Sequence, residues 1–221
     1  YCTVAHASTR CPSRRVYGIT YSADEGLLGG WSEMIYLKPG VLVLPLPDGV
    51  SAERFAGAGC GLPTAVHAIE RADIQLGDAV VIQGSGPVGL SAAILAQIKG
   101  ATQVIVIGGP SSRLAEATRI GADAVIDISA HDPEERAAMV RELCGGRGAD
   151  VTIEASGNPE AVREGMAMTR DAGRYVVVGQ YTDGGDISIN PHLDINRKHL
   201  EIRGTWGIDY GHLWRAMRVL A

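Results

Sequence analysis

The run Asp78-Ala-Val-Val-Ile-Gln-Gly-Ser-Gly-Pro-Val-Gly89 carries a short apolar strand straight into a glycine turn, and Leu90-Ser-Ala-Ala-Ile-Leu-Ala-Gln-Ile98 leaves that turn with helical spacing. This order limits the chain to folds that open on a strand, a tight turn and a helix laid back on the strand. Gly84 permits the turn, Gly86 leaves the backbone open to a pyrophosphate, and Gly89 lets helix and strand pack closely. The unpaired N–H groups of the helix start then face the phosphates. With 29 glycines in 221 residues such a spacing arises by chance, so the flanking strand and helix carry the argument.

From residue 78 onward, β-rich runs alternate with helical patterns, which predicts stacked βαβ units around a parallel sheet. Strands are predicted at 80–83, 103–107, 124–126, 151–154, 175–178 and 200–204, making a doubly wound six-stranded α/β sheet. Helices are predicted at 88–99, 112–120, 133–143 and 159–169, with Ser111, Asp132 and Asn158 as N-caps. Residues 210–220 look like the opening of a further helix. Glycines 100, 121 and 173 stand where helices end. Residues 1–50 differ: turn residues dominate, with strand-like runs at 31–37 and 41–46, as expected for the tail of a mostly β domain. A helical stretch at 51–72 joins this part to the dinucleotide domain at 78–221, so residues 51–77 form the connection. The chain begins at Tyr1 and stops just after that last helix opens, and is read as a piece of a longer protein.

A net charge of −5 with scattered Lys and Arg argues against nucleic acid as a partner. No apolar run reaches the ~18 residues that span a bilayer, so no membrane partner and a cytoplasmic location are expected. At the end of the second strand, ~20 residues beyond the glycine turn, an Asp or Glu usually holds the adenosine ribose. Here Gly108 stands in its place, followed by Gly109-Pro-Ser-Ser-Arg113. Ser111, Ser112 and Arg113 are the nearby hydrogen-bond donors. Two readings stay open: tolerance of a 2′-phosphate, hence NADP, or a plain turn that leaves NAD as cofactor. The absence of a second basic residue beside Arg113 favours NAD.

Four cysteines in a chain without extracellular signals point to metal or chemistry rather than disulfides. Cys2 and Cys11 lie in a polar stretch ahead of Tyr17-Gly18, and Cys60 in Gly59-Cys-Gly-Leu-Pro-Thr64. With Gly29-Gly-Trp-Ser-Glu-Met-Ile-Tyr36, Pro45-Leu-Pro-Asp-Gly-Val-Ser51, Arg119-Ile-Gly-Ala-Asp123 and Gly145-Gly-Arg-Gly-Ala-Asp-Val151, these motifs follow one order. In that order the chain resembles the zinc-dependent medium-chain dehydrogenase/reductase family, alcohol dehydrogenase type. The resemblance covers essentially the whole chain.

The resemblance implies the tail of a GroES-like catalytic domain before the Rossmann domain, with zinc and a nicotinamide cofactor. It makes Cys60 a ligand of the catalytic zinc, a role a thiolate suits. Sorbitol-type relatives carry Glu there, so Cys60 favours the alcohol dehydrogenase branch. Thr64 and Val88 match positions beside the nicotinamide, and Ser156 and Val178 line the cofactor crevice. Cys2 and Cys11 match the last two cysteines of a four-cysteine structural zinc, although eight residues separate them where the commonest pattern has seven. Cys144 matches no ligand, and His67 reads as a packed helix histidine. The implied reaction is hydride transfer between an alcohol or carbonyl substrate and the cofactor, in a homo-oligomer. The alternatives are a zinc-free quinone or enoyl reductase of the same superfamily, or a non-catalytic nucleotide-binding module.

Overall fold

The computed structural model describes residues 4–5 and 7–221. Cys2 lies outside the described residues.

Two helices lead into the sheet: α1 (Ala52–Ala58) and α2 (Gly61–Ala72). The sequence predicts one continuous helical stretch here; the chain instead breaks at Gly59, whose φ of 50° ends α1. Ser51 caps α1 by accepting from the Arg54 N–H. Next come β1 (Ala79–Gln83), α3 (Pro87–Ile98), β2 (Gln103–Gly108), α4 (Ser111–Arg119), β3 (Ala124–Asp127), α5 (Pro133–Leu143), β4 (Ala149–Glu154), α6 (Pro159–Met168), β5 (Thr169–Val177), β6 (Glu201–Gly204) and α7 (Tyr210–Leu220). All strands pair in parallel in the order β3-β2-β1-β4-β5-β6. This is the doubly wound α/β sheet expected from the sequence.

The strands read as near-continuous apolar runs because helices cover both faces. Val80, Ile82, Val104 and Val106 pack with α2 and α3, while Val81, Ile105 and Ile107 pack against Ala137 and Val140 of α5. Residue parity therefore sorts each strand between two cores. β2 and β4 flank β1 on opposite sides, so the chain reverses direction across the sheet at β1, and a crevice opens beyond the carboxyl ends of β1 and β4.

Local signals hold for most helix ends. Asp132 forms a capping box with Glu135, and Asn158 caps α6. Gly100 and Gly121 follow α3 and α4 at φ of 103° and 96°. Two expectations fail. Pro110, not Ser111, is the N-cap of α4, because the helix starts one residue earlier than its polar pattern suggests. Gly173 ends no helix: α6 runs directly into β5, and the left-handed residue is Ala172 at φ 53°. Gly173 is required by crowding instead, since a Cβ there would lie 2.7 Å from Thr169 Cγ2 and 2.9 Å from the Arg170 carbonyl oxygen.

The runs at 31–37 and 41–46 do not form strands. Their side chains are largely exposed, Trp31 and Leu42 among them, and one backbone hydrogen bond, Tyr36 N–H to the Leu27 carbonyl, ties the first run down. A strand needs a neighbour to take its N–H and C=O groups, and no neighbouring strand is present among the described residues. No helix is long and apolar enough to cross a membrane.

Candidate functional site

The glycine turn joins β1 to α3, and each glycine does different work. Gly84 has φ 113°, and a Cβ there would lie 2.6 Å from the Ala155 carbonyl oxygen, so the turn is pressed against the end of β4. Gly89 faces back onto Gly84: a Cβ would overlap the Gly84 oxygen and lie 2.8 Å from its carbonyl carbon. Gly86, the N-cap of α3, has open space where its Cβ would be. The helix start is thereby left open beside Gly86, with Pro87 at the first position sacrificing no needed donor.

A cleft of about 520 Å³ opens beside this turn, lined by Gly84, Gly86, Gly108, Gly109, Arg113, Ile128 and Ser156. Gly84, Gly86, Gly108, Arg113 and Ser156 are thus brought together as the sequence anticipates. Ser111 does not line the cleft. Val88 is half-buried against the core, and Val178 is buried in it at the end of β5. Arg136 of α5 also lines the cleft, a second basic group that sequence spacing gave no reason to expect. It is already engaged: Nε and Nη2 donate to the two Glu164 oxygens at 2.6 and 2.8 Å, and Nη1 to the His131 carbonyl at 2.6 Å. Arg113 forms no ion pair among the described residues.

Gly108 has a steric cause. A Cβ there would lie 2.8 Å from Ser85 Cβ and 2.9 Å from the Ser85 nitrogen. Ser85 fills that space and clasps the turn after β2: its hydroxyl donates to the Gly109 carbonyl at 2.9 Å and accepts from the Gly109 N–H at 3.0 Å.

Glu154 organises the opposite wall and was missed as a site residue. Its fully buried carboxylate accepts from the Ser156 N–H at 2.8 Å, the Ser156 hydroxyl at 2.9 Å, the Gly157 N–H at 2.8 Å and the Gly179 N–H at 3.0 Å. The signal was present in Glu154-Ala-Ser-Gly157: an acid at a strand end followed by turn residues, positioned to accept their N–H groups.

Cys60 is exposed and is the N-cap of α2. The helix start sits on the glycine turn: a Cβ at Gly61 would lie 3.2 Å from Pro87 Cβ and 3.5 Å from the Val88 nitrogen. Thr64 follows one turn later, half-buried on the same helix. Cys11 and Cys144 are half-buried free thiols; Cys144 lies 3.8 Å from Gln103 Oε1. Among the described residues, no three or more His, Cys, Asp or Glu side chains are arranged to hold a metal ion.

A second cavity, about 790 Å³, lies between α2 and α7. There His67 and His212 stack with ring centroids 4.2 Å apart, and His67 Nδ1 meets the Gly207 carbonyl at 2.7 Å. His212 Nε2 lies 3.5 Å from Glu70 and Nδ1 2.8 Å from Asp209. His67 is thus the packed helix histidine that the sequence suggests, with a long-range partner that it does not reveal.

Residues 87–221 match the family described as zinc-binding dehydrogenase. The chain belongs to the zinc-binding dehydrogenase family. Among curated relatives it is 36% identical to 5-exo-hydroxycamphor dehydrogenase of Pseudomonas putida over 87% of this chain and 54% of that protein. It is 35% identical to sorbitol dehydrogenase of Ovis aries over 73% of this chain and 44% of that protein. Among solved structures, an alcohol dehydrogenase from Thermotoga maritima superposes with a TM-score of 0.92 at 33% identity, over 99% of this chain and 60% of that one. The chain spans about half the length of the curated relatives it matches. Family membership accounts for the Rossmann sheet beside which the cleft at β1 opens.

Proposed function

We propose that the whole protein is a zinc-dependent alcohol dehydrogenase that passes hydride between an alcohol or carbonyl substrate and a nicotinamide cofactor. One observation carries this reading: the start of α2, with Cys60 as its cap, rests directly on Pro87 and Val88 of the glycine turn. A soft metal ligand and a dinucleotide turn are held side by side, as hydride transfer near a Lewis acid requires.

The residues here divide the work. Gly84, Gly86 and Gly89 admit the pyrophosphate to the α3 N-terminus, and Arg113 adds a cation at the adenosine end. Glu154 holds Ser156 and Gly157 in place along the crevice. Thr64 and Val88 present the surface against which the nicotinamide lies, and Val178, just past the end of β5, packs in the core behind the crevice. Cys60 supplies one thiolate to the zinc, the set being completed outside these 221 residues; Cys11, with Cys2, belongs to a structural zinc site. Zinc, when bound, lowers the pKa of an alcohol and stabilises the negative charge left on its oxygen.

The domain plan follows: 1–50 as the end of a GroES-like catalytic domain, 51–77 as connection and 78–221 as the dinucleotide domain. A cytoplasmic homo-oligomer without nucleic-acid or membrane partners completes the proposal. Cys60 supports the alcohol branch, while the sorbitol dehydrogenase relatives keep polyols among the substrates to assay.

Metal content and alcohol-dependent reduction of NAD and NADP by the full-length protein test the reading. About two zinc ions per subunit are expected, one of them lost with activity in Cys60→Ala. Activity without zinc would assign the protein to the zinc-free reductases. Cofactor binding without turnover would make it a non-catalytic module.

A further inference from the structure

The carboxylate missing from the end of β2 has a counterpart one strand away. β2 and β3 pair with Gly108 opposite Asp127, so the last residue of β3 is the direct neighbour of the position where a ribose-binding acid normally stands. The Asp127 side chain reaches toward that end: its Oδ1 lies 4.0 Å from where a Cβ of Gly109 would be. Ser129 fixes it, the backbone N–H and the hydroxyl both donating to Oδ1, at 2.8 and 2.6 Å. Among the described residues Oδ2 has no hydrogen bond, and Asp127 forms no ion pair with Lys or Arg. The two bonds from Ser129, hydroxyl first, hold this carboxyl below its ordinary value of 3.8, so it carries its charge at neutral pH.

Ser85 explains why the charge is displaced. It occupies the space beside Gly108 and clasps Gly109, which leaves no room for a side chain at the end of β2. Charge at the ribose end must then come from the neighbouring strand. The opposing cations are few: Arg113 is available, whereas Arg136 is bound to Glu164.

Resting on the dinucleotide reading above, we propose that Asp127 is the specificity-determining residue for the cofactor, an acceptor for the adenosine ribose of NAD that repels the 2′-phosphate of NADP. Ser85 is the positioning residue that makes this arrangement necessary.

The test is direct binding of NADH and NADPH to the full-length protein, read by nicotinamide fluorescence, for wild type, Asp127→Asn and Asp127→Ser. Wild type is expected to bind NADH the more tightly. Both substitutions are expected to shift the NADH-to-NADPH affinity ratio toward NADPH by about tenfold, the scale of removing one charge near a phosphate in a partly solvated cleft. Adding Arg113→Ala to Asp127→Asn is expected to abolish the gain. A wild type that prefers NADPH, or a ratio unmoved in both variants, overturns the proposal while leaving the dinucleotide site standing. If wild type binds neither dinucleotide, the reading beneath it falls as well.

Discussion

Replacing Glu154 by Ala removes the acceptor that holds the wall of the crevice beside the glycine turn, and the hydrogen bonds set the size of the effect. The Ser156 and Gly157 N–H groups lose their partner, whereas Gly179 keeps a second bond, from its N–H to the Glu154 carbonyl at 2.9 Å. Each hydrogen bond to a carboxylate contributes ~1.5–3 kcal/mol, so the two bonds lost are worth ~3–6 kcal/mol. Ser156 and Gly157 are themselves exposed, so water re-solvates both and the low end, ~3 kcal/mol, applies. At ~2–4 °C per kcal/mol for a chain of this size, Tm falls by roughly 6–12 °C. Glu154→Gln is the graded control. Its carbonyl keeps the three bonds made to Oε1, and only the contact to Gly179 is lost, costing ~1 kcal/mol. Urea unfolding of the full-length protein measures both, and dinucleotide affinity is expected to follow the same rank. An Ala variant that loses less than ~1 kcal/mol, or a Gln variant as damaged as Ala, would refute the claim that these bonds hold the wall.

Gly89→Ala places a methyl into the Gly84 carbonyl, so it is expected to weaken dinucleotide binding by at least about 100-fold, measured by fluorescence titration, because α3 must move off the turn. His212 makes stability pH-dependent. Burial, and then the stacked His67, hold its pKa below the ordinary 6.5, outweighing Asp209 and Glu70. The unfolded chain therefore binds the proton first, and stability falls as pH drops from 6.5 toward the folded value. Urea midpoints across that range are expected to decline for wild type and to flatten in His212→Asn; an equal slope in both would reject the assignment.

The alternation of apolar runs and helical patterns was legible from sequence because it is local: parity along a strand, capping residues such as Asp132 and Asn158, and glycines at 100 and 121 each act within a few residues. The glycine turn at 84–89 was legible for the same reason, since its three glycines answer to one short stretch of backbone. Where local signals were thin, the reading failed. Gly173 resembles a helix end but serves a crowded strand, and the runs at 31–37 and 41–46 have strand composition without a strand beside them.

The cleft itself required tertiary structure. Nothing in the sequence indicates that Ser85 excludes a side chain at Gly108, that Glu164 engages Arg136, that Gly61 must be small to seat α2 on Pro87, or that His67 meets His212. Each joins segments between 23 and 145 residues apart, so the partner is chosen by the order of strands in the sheet and the helices laid across it. The sequence determined a dinucleotide fold and the chemistry of its turn. Which side chain stands beside Gly108 was decided only by the parallel register, which sets Asp127 there.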